Sequence, residues 1–343
     1  MPDVIASVVD SFDAGEALMR RMRKPIVMTH ARPDGDAIGA VQAVRLRMLE
    51  LNADPRPVLF DAVPARYGFL LRHGALPVLG RDADPVANED ADGIIIVDTC
   101  ARNQIEPLFD FVSRAVVPKL VIDHHVTRDL QADVMVIDPT ASATCLMLQE
   151  WATRAEWSVS PAMAESLFTG VATDTGWFRH ANTDGRTLAA AGELAWLGVR
   201  PHELFERLHH QDSAGRFRLR AAALRSVELL GGDRLALMIV PLSMFAECGA
   251  TMPDTEDLVN EPFLMRNVRV SVMLVEHEGG VVRVGLRSRE PVSDDDPDVD
   301  VSDVARRWGG GGHRRAAGVR MNGTLRDVRN RVVDELAPRI APV

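Results

Sequence analysis

The sequence predicts an α/β protein: an N-terminal parallel-sheet domain joined by a helical linker to a smaller, mixed-sheet α/β domain, with the active site in the cleft between them. Three observations carry this expectation. Short apolar runs alternate with helix-spaced segments through the first half of the chain. Those runs are apolar throughout, as in strands covered on both faces. Beyond residue 232 the texture changes to alternating strands with hairpin signals. A chain of 343 residues has room for two domains.

The elements read as follows. "PIVMTH" (25–30) is a first strand, and "DAIGAVQAVRLRMLELN" (36–52) is a helix that Asp36 is placed to cap. "GIIIVDT" (93–99), "KLVIDHH" (119–125) and "VMVIDPT" (134–140) are further strands, and "SATCLMLQEWATR" (142–154) is a helix. Residues 161–210 read as mostly helical, with "PAMAESLFTGVATDTGWF" and "DGRTLAAAGELAWLGV" the clearest pieces. "SAGRFRLRAAALRSVELLGG" (213–232) reads as the linker helix, stopped by Gly231 and Gly232. This places the domains at 1–212 and 233–343. In the second, "RLALMIVPL", "VRVSVMLVEHEGGVVRVGLRS" and "AAGVRMNG" are strand-rich, and Gly279-Gly280 marks a hairpin. The acidic "EPVSDDDPDVDVSD" (290–303) reads as a solvated loop, and the tryptophans at helical spacing read as core.

Composition narrows the function. The formal net charge is −10, which argues against coating long duplex nucleic acid but leaves room for a small anion in a local pocket. Cys100, Cys145 and Cys248 are scattered and form no CxxC pair, which fits a reducing cytoplasm and speaks against structural zinc. "MPDVIASVVDSFD" lacks the basic region of a secretory signal. "LALMIVPLSMF" is too short for a membrane span and contains Pro241. A cytoplasmic protein with no membrane partner is expected.

Ligands of parallel α/β sheets bind outside the carboxyl ends of the strands. There the first strand delivers His30, then Asp34 and Asp36; the next delivers Asp98; the next Asp123, His124 and His125; a helix carries Asp174. A carboxylate after a strand is often only a helix cap, and a lone histidine is ordinary. Convergence changes the reading, because so many acids and imidazoles on one edge repel one another unless cations neutralise them. Mixed carboxylate and imidazole donors without thiolate suit Mn²⁺, Fe²⁺, Co²⁺ or Mg²⁺. Six donors suffice for two metals sharing a carboxylate, about 3.5–4 Å apart.

"THARPDGDAIGA", "VDT", "DHH" and "TDTGWF" resemble, in order, the four motifs of the DHH phosphoesterases. "RWGGGGHRRAAG" (307–318) resembles the glycine-rich signature of the accessory domain that follows in this family. Order and spacing resemble the nano-RNases that also dephosphorylate pAp (adenosine 3′,5′-bisphosphate). The resemblance implies that His30 and Asp34 hold one metal, Asp36, His124 and Asp174 the other, and that Asp98 bridges them. It implies that Asp123 orients the neighbouring histidines, and that His125 is no ligand but faces the scissile phosphate, where it helps neutralise charge or protonates the leaving oxygen. Arg287, Ser288, Gly310, Gly311, Gly312 and His313 would bind substrate, Arg287 and His313 gripping its terminal phosphate or base. The local basic cluster Arg306, Arg307, Arg314 and Arg315 would add to the pocket. The implied activity is two-metal, Mn²⁺-dependent hydrolysis of short oligoribonucleotides and pNpN dinucleotides to mononucleotides, with pAp as a second substrate. A cyclic or linear dinucleotide phosphodiesterase (c-di-AMP, pApA) is the alternative. A non-catalytic dinucleotide sensor is the rival of another class. The resemblance also implies a homodimer, for which no stretch of sequence locates an interface.

Overall fold

The computed structural model describes residues 2–84, 90–292 and 296–340. The chain divides into two compact units, residues 1–211 and 212–343.

In the first unit α1 (Pro2–Met19), β1 (Pro25–Met28), α2 (Gly35–Glu50), β2 (Arg56–Val58), β3 (Gly93–Val97), α3 (Glu106–Arg114), β4 (Lys119–Asp123) and β5 (Val134–Ile137) are followed by four helices. These are α4 (Thr144–Arg154), α5 (Pro161–Asp174), α6 (Gly185–Trp196) and α7 (Pro201–His209). The strands are all parallel, in the order β2-β1-β3-β4-β5. Chain direction across the sheet therefore reverses between β1 and β3, the place where open α/β sheets bind ligands. Alternate strand residues feed two cores. Val27, Ile95, Val97, Leu120 and Ile122 pack with Ile38, Val41, Leu167 and Val171. Ile26, Met28, Ile94, Ile96 and Val121 pack with Leu108 and Val112. The sheet is covered on both faces, which is why its strands read as unbroken apolar runs.

Three local readings are corrected. The cap of α2 is Asp34, whose Oδ1 accepts from the Asp36 and Ala37 N–H groups at 3.0 and 3.1 Å; Asp36 lies in the first turn. β2 was missed because it is a three-residue edge strand built around Pro57, where the ladder needs no N–H. Trp196, read as core, is 92% exposed, whereas Trp151 and Trp157 are buried.

In the second unit α8 (Ala214–Arg225), β6 (Glu228–Leu230), β7 (Leu235–Val240), α9 (Leu242–Cys248), β8 (Val270–His277), β9 (Val281–Ser288), α10 (Val301–Arg307), β10 (Gly311–His313), β11 (Ala316–Asn322) and α11 (Leu325–Ile340) form a six-stranded sheet with helices. The strand order is β10-β11-β9-β8-β7-β6, mixed because β7 and β8 are parallel and the other pairs antiparallel. The helix read as running to residue 232 ends at Arg225. Residues 228–230 pair with β7 instead, and Gly231 and Gly232 turn that hairpin at φ 57° and 65°. One sheet face, with Val272, Leu274, Val282, Val284, Leu286 and Val319, packs on α10 and α11. The opposite face is covered over β7 and β8 by Leu219, Ala223, Phe245 and Cys248 of α8 and α9.

The acidic segment is not simply solvated. Asp296 pairs with Arg269 at 2.8 Å, Asp298 with Arg315 at 2.8 Å and with Arg314, and Asp300 caps α10. Residues 293–295 of that segment lie outside the described residues. Among the described residues, no helix is long and apolar enough to cross a membrane.

Candidate metal centre

The polar residues of the first unit gather at the carboxyl edge of its sheet. His30 follows β1, Asp98 follows β3, and Asp123, His124 and His125 end and follow β4. Asp34 and Asp36 open α2, and Asp174 closes α5. Helices α2 and α5 approach closely because Gly35 and Gly39 have no side chain. A Cβ at Gly35 would lie 2.3 Å from Thr173 Oγ1, and one at Gly39 would lie 2.4 Å from the Ser166 carbonyl oxygen. Gly35 thus serves helix packing and not the tight turn that its place between two acids suggests.

Three sets of donors come together, each with atoms within 4.8 Å of one another: His30, Asp34 and Asp98; Asp36, His124 and Asp174; Asp98, His124 and His125. Asp98 belongs to two sets and lies between the others. Its Oδ2 is 3.4 Å from His30 Nε2 and its Oδ1 is 3.6 Å from His124 Nε2. Its backbone is left-handed, with φ 61°, a strained conformation for a non-glycine residue that the Asp98 N–H to Ile122 C=O bond holds at the strand end.

The histidines are poised as donors. His30 Nδ1 is 2.9 Å from the Ala31 carbonyl and His124 Nδ1 is 3.1 Å from the Ala141 carbonyl. Each carbonyl accepts a hydrogen bond from Nδ1–H, which leaves Nε2 with a lone pair toward the acids. His125 differs: its Nδ1 is 2.8 Å from Asp123 Oδ1, which also accepts the His125 N–H. That hydrogen bond raises the His125 pKa.

Asp36, Asp98 and Asp174 have no arginine or lysine partner among the described residues. Asp36 is fully buried and takes the Thr144 and Cys145 N–H groups at 2.6 and 2.9 Å, so the positive end of α4 faces it. Thr144 also donates its hydroxyl to Asp98 Oδ1 at 2.9 Å. Burial, then Asp36 and Asp34, hold Asp98 well above the usual carboxylate range. Burial, Asp36 and Asp34 push Asp174 up to about 8, and its place at a helix C-terminus adds to the repulsion. Asp123 Oδ2 is buried with no partner. Asp138, at the same edge after β5, shows the alternative: despite burial, Thr140 and Arg186 hold its pKa low, with Arg186 Nη2 at 2.8 Å. No arginine or lysine does this for Asp36, Asp98 or Asp174 among the described residues, and the donor set fits divalent cations.

Sequence reading missed Thr144, which looked like one more residue of a helical run. Arg179 and His180 follow Asp174 in "TDTGWFRH", a place that by sequence suits either cleft lining or a helix-end cap. Arg179 donates from Nε to the Gly176 carbonyl at 2.8 Å, and the His180 ring packs on Gly176, so both brace the turn after Asp174.

The residues expected to bind substrate lie in the second unit and divide. Arg287, Gly311 and Gly312 line a cavity of about 420 Å³ with Thr255, Gly285 and Gly318. Ser288 does not belong there. Adjacent strand residues point to opposite faces, and the Ser288 hydroxyl is buried and donates to the Val299 carbonyl at 2.7 Å. Gly310 serves packing, since a Cβ would lie 2.4 Å from the Gly318 oxygen. His313 is exposed on β10 opposite Ala316. The expected basic cluster is largely neutralised: Arg306 and Arg307 pair with Asp303, Arg307 also with Glu335, and Arg314 and Arg315 with Asp298.

Comparison with known proteins follows this geometry. The N-terminal domain of the DHH family matches residues 24–171. A Thermus thermophilus protein named bifunctional oligoribonuclease and PAP phosphatase NrnA is 31% identical over 312 residues, covering 89% of this chain and 87% of the relative. A Bacillus subtilis protein of the same name is 27% identical, covering 85% of this chain and 88% of the relative. The crystal structure of an exopolyphosphatase-related protein from Bacteroides fragilis aligns with TM-score 0.82 at 22% identity, over 96% of this chain and 97% of that one. That last likeness bears on the fold alone.

Proposed function

This chain belongs to the DHH phosphoesterase family, and from that premise we propose that it hydrolyses short oligoribonucleotides to mononucleotides, with pAp as a second substrate. The observation that carries the reading is the pair of donor triads sharing Asp98 on a sheet edge where, among the described residues, no arginine or lysine neutralises Asp36, Asp98 or Asp174. His30, Asp34 and Asp98 would hold one divalent cation, and Asp36, His124 and Asp174 the second, with Asp98 common to both. Bound cations supply charge neutralisation at the phosphate and an acidified water. Manganese suits the mixture of imidazole and carboxylate donors, with iron, cobalt or magnesium as substitutes.

The chain's own groups do the rest. The Ala31 and Ala141 carbonyls fix the tautomers of His30 and His124. Thr144 and the N-terminus of α4 hold Asp36 and Asp98 in place. Asp123 binds His125 Nδ1, so the opposite nitrogen, Nε2, is the one presented outward by a half-exposed ring. The Asp123 hydrogen bond favours the protonated ring, and a protonated His125 would donate to the leaving nucleoside oxygen. Arg287 in the second unit would hold a substrate phosphate. Three buried, unpaired thiols suit a cytoplasmic enzyme.

Incubation with Mn²⁺ and, separately, pApA, a short RNA, a long RNA and pAp tests this. Release of mononucleotides from the short substrates and of AMP from pAp, stopped by EDTA, is expected. Intact substrate in every lane, with folded and metal-loaded protein, overturns the reading and favours a dinucleotide sensor.

A further inference from the structure

Two arginines and a histidine on one sheet face of the second unit make no ion pair among the described residues. In the β9–β11 ladder Arg283 stands directly opposite Arg320. Like charges in that position destabilise a sheet. His277 lies on the next strand, β8, on the same face as Arg283, one pleat beyond its register partner. Its Nε2 is buried without a hydrogen-bond partner. Burial, then Arg283 and Arg320, lower the pKa of that ring. Arg283 is fixed by one neutral contact, Nη2 to Thr255 Oγ1 at 2.7 Å, and Thr255 in turn donates to the Met252 carbonyl. Neither arginine makes an ion pair among the described residues. Supply of acids is not the reason, because the net charge is −10 and other arginines of the second unit, Arg269, Arg314 and Arg315, have found acids.

The same face carries a strip with no side chains. Gly285, Gly318 and Gly311 are register partners across β9, β11 and β10. None has a positive φ. A Cβ at Gly311 would meet nothing within 4 Å, one at Gly318 only the Val284 oxygen at 3.5 Å, and one at Gly285 only the Met273 oxygen at 3.9 Å. Neither backbone conformation nor packing asks for glycine here, and glycine in a strand interior weakens it. These glycines floor the cavity of about 420 Å³, with Arg287 on one side of the strip and Arg283 on the other. The two arginines are four positions apart, about 14 Å along β9. Arg287 and Arg283 thus stand at the two ends of a flat glycine floor, and Glu256 and Asp257 also line the cavity.

We propose that Arg283, Arg320 and His277 form an anion subsite for a terminal phosphomonoester of a short oligonucleotide, a phosphate that is bound and not hydrolysed, with the adjoining nucleotide lying on the glycine strip. The subsite is separate from Arg287. It rests on the nucleotide-hydrolase reading for its ligand, and makes the enzyme selective for oligonucleotides with a phosphorylated end.

The test compares pApA and ApAp with ApA, for wild-type protein and Arg320→Gln. In the wild type a phosphate at one end raises kcat/KM over ApA by at least about tenfold, the worth of one charge-assisted contact. In Arg320→Gln that advantage collapses toward one, while the melting temperature holds or rises because the Arg283–Arg320 repulsion is relieved. Gly318→Val, for which the fold has room, lowers kcat/KM for phosphorylated and unphosphorylated dinucleotides alike. An advantage that survives in Arg320→Gln overturns the subsite. If wild type cleaves none of the three, the hydrolase reading has failed. Calorimetric titration with pApA then decides the subsite by itself: tighter binding to wild type than to Arg320→Gln sustains it, and equal binding overturns it.

Discussion

Replacing Gly39 with alanine tests whether the α2–α5 contact sets the metal centre. The added Cβ would fall 2.4 Å from the Ser166 carbonyl oxygen and 3.1 Å from Cys145 Sγ. A carbonyl in the middle of a helix cannot swing aside, and ordinary contact needs about 3.5 Å, so the helices must part by roughly 1 Å. Overpacking on that scale costs about 3 kcal/mol, the upper end of the usual range. Alanine returns about 1 kcal/mol as the better helix former. The net loss is about 2 kcal/mol, which for a unit of this size lowers the melting temperature by roughly 4–8 °C. The functional effect is larger. Asp34 and Asp36 stand at the start of α2 and Asp174 at the end of α5, so parting the helices opens the Asp36–His124–Asp174 triad. A 1 Å displacement of a reacting constellation costs on the order of a hundredfold. Calorimetry gives the stability, and kcat on pApA with saturating Mn²⁺ gives the activity. A variant that melts early but turns over within a factor of two of wild type refutes the link between helix spacing and the site.

Two further outcomes follow from the same geometry. Asp98→Asn keeps the fold, since an amide still accepts the Thr144 hydroxyl, but removes the charge shared by both triads. Turnover should fall at least about a thousandfold with an unchanged circular dichroism spectrum, and a near-normal rate would remove Asp98 from the bridging position. In EDTA, the raised Asp174 pKa makes stability pH-dependent. The folded carboxyl keeps its proton up to about 8 whereas the unfolded one loses it near 4. Its contribution is complete below the unfolded value and is lost as pH rises through 8. Denaturant midpoints of the metal-free protein should therefore fall across that window, and added Mn²⁺ should restore them; a flat profile in EDTA would show that the acids do not repel one another.

Most of the metal centre was legible because its donors sit at strand ends, and a strand end in a parallel sheet fixes both the edge and the direction. Residue roles were less legible wherever backbone conformation decides them. Asp34 and Asp36 are both plausible caps by type, and only the extended φ and ψ of Asp34 select it. The left-handed turn at Asp98 leaves no mark in "VDT". Thr144 acts at the centre because the N-terminus of α4 is brought to Asp36 from more than a hundred residues away. Ser288 is a different case. The alternation of "VVRVGLRS" already sets arginines on one face and Val282, Val284, Leu286 and Ser288 on the other, so period two alone would have separated Ser288 from Arg287.

Charge was the least legible property of the second unit. Counted along the chain, Arg306, Arg307, Arg314 and Arg315 make a basic cluster and "DDDPDVD" an acidic loop, two features with two roles. Folded, the loop's Asp298 and Asp300 lie against Arg314, and Asp298 against Arg315, so the two features cancel. The net positive charge moves to arginines that look unremarkable in sequence, because Arg283 and Arg320 become neighbours only through the β9–β11 register. Register is set by a whole ladder of pairs and not by any one residue. A cationic surface of this kind can be read only after subtraction, by removing every arginine that has found an acid. On the β9–β11 ladder what survives is Arg287 at one side of a bare glycine strip and Arg283 with Arg320 at the other, which is where an anionic ligand gains most.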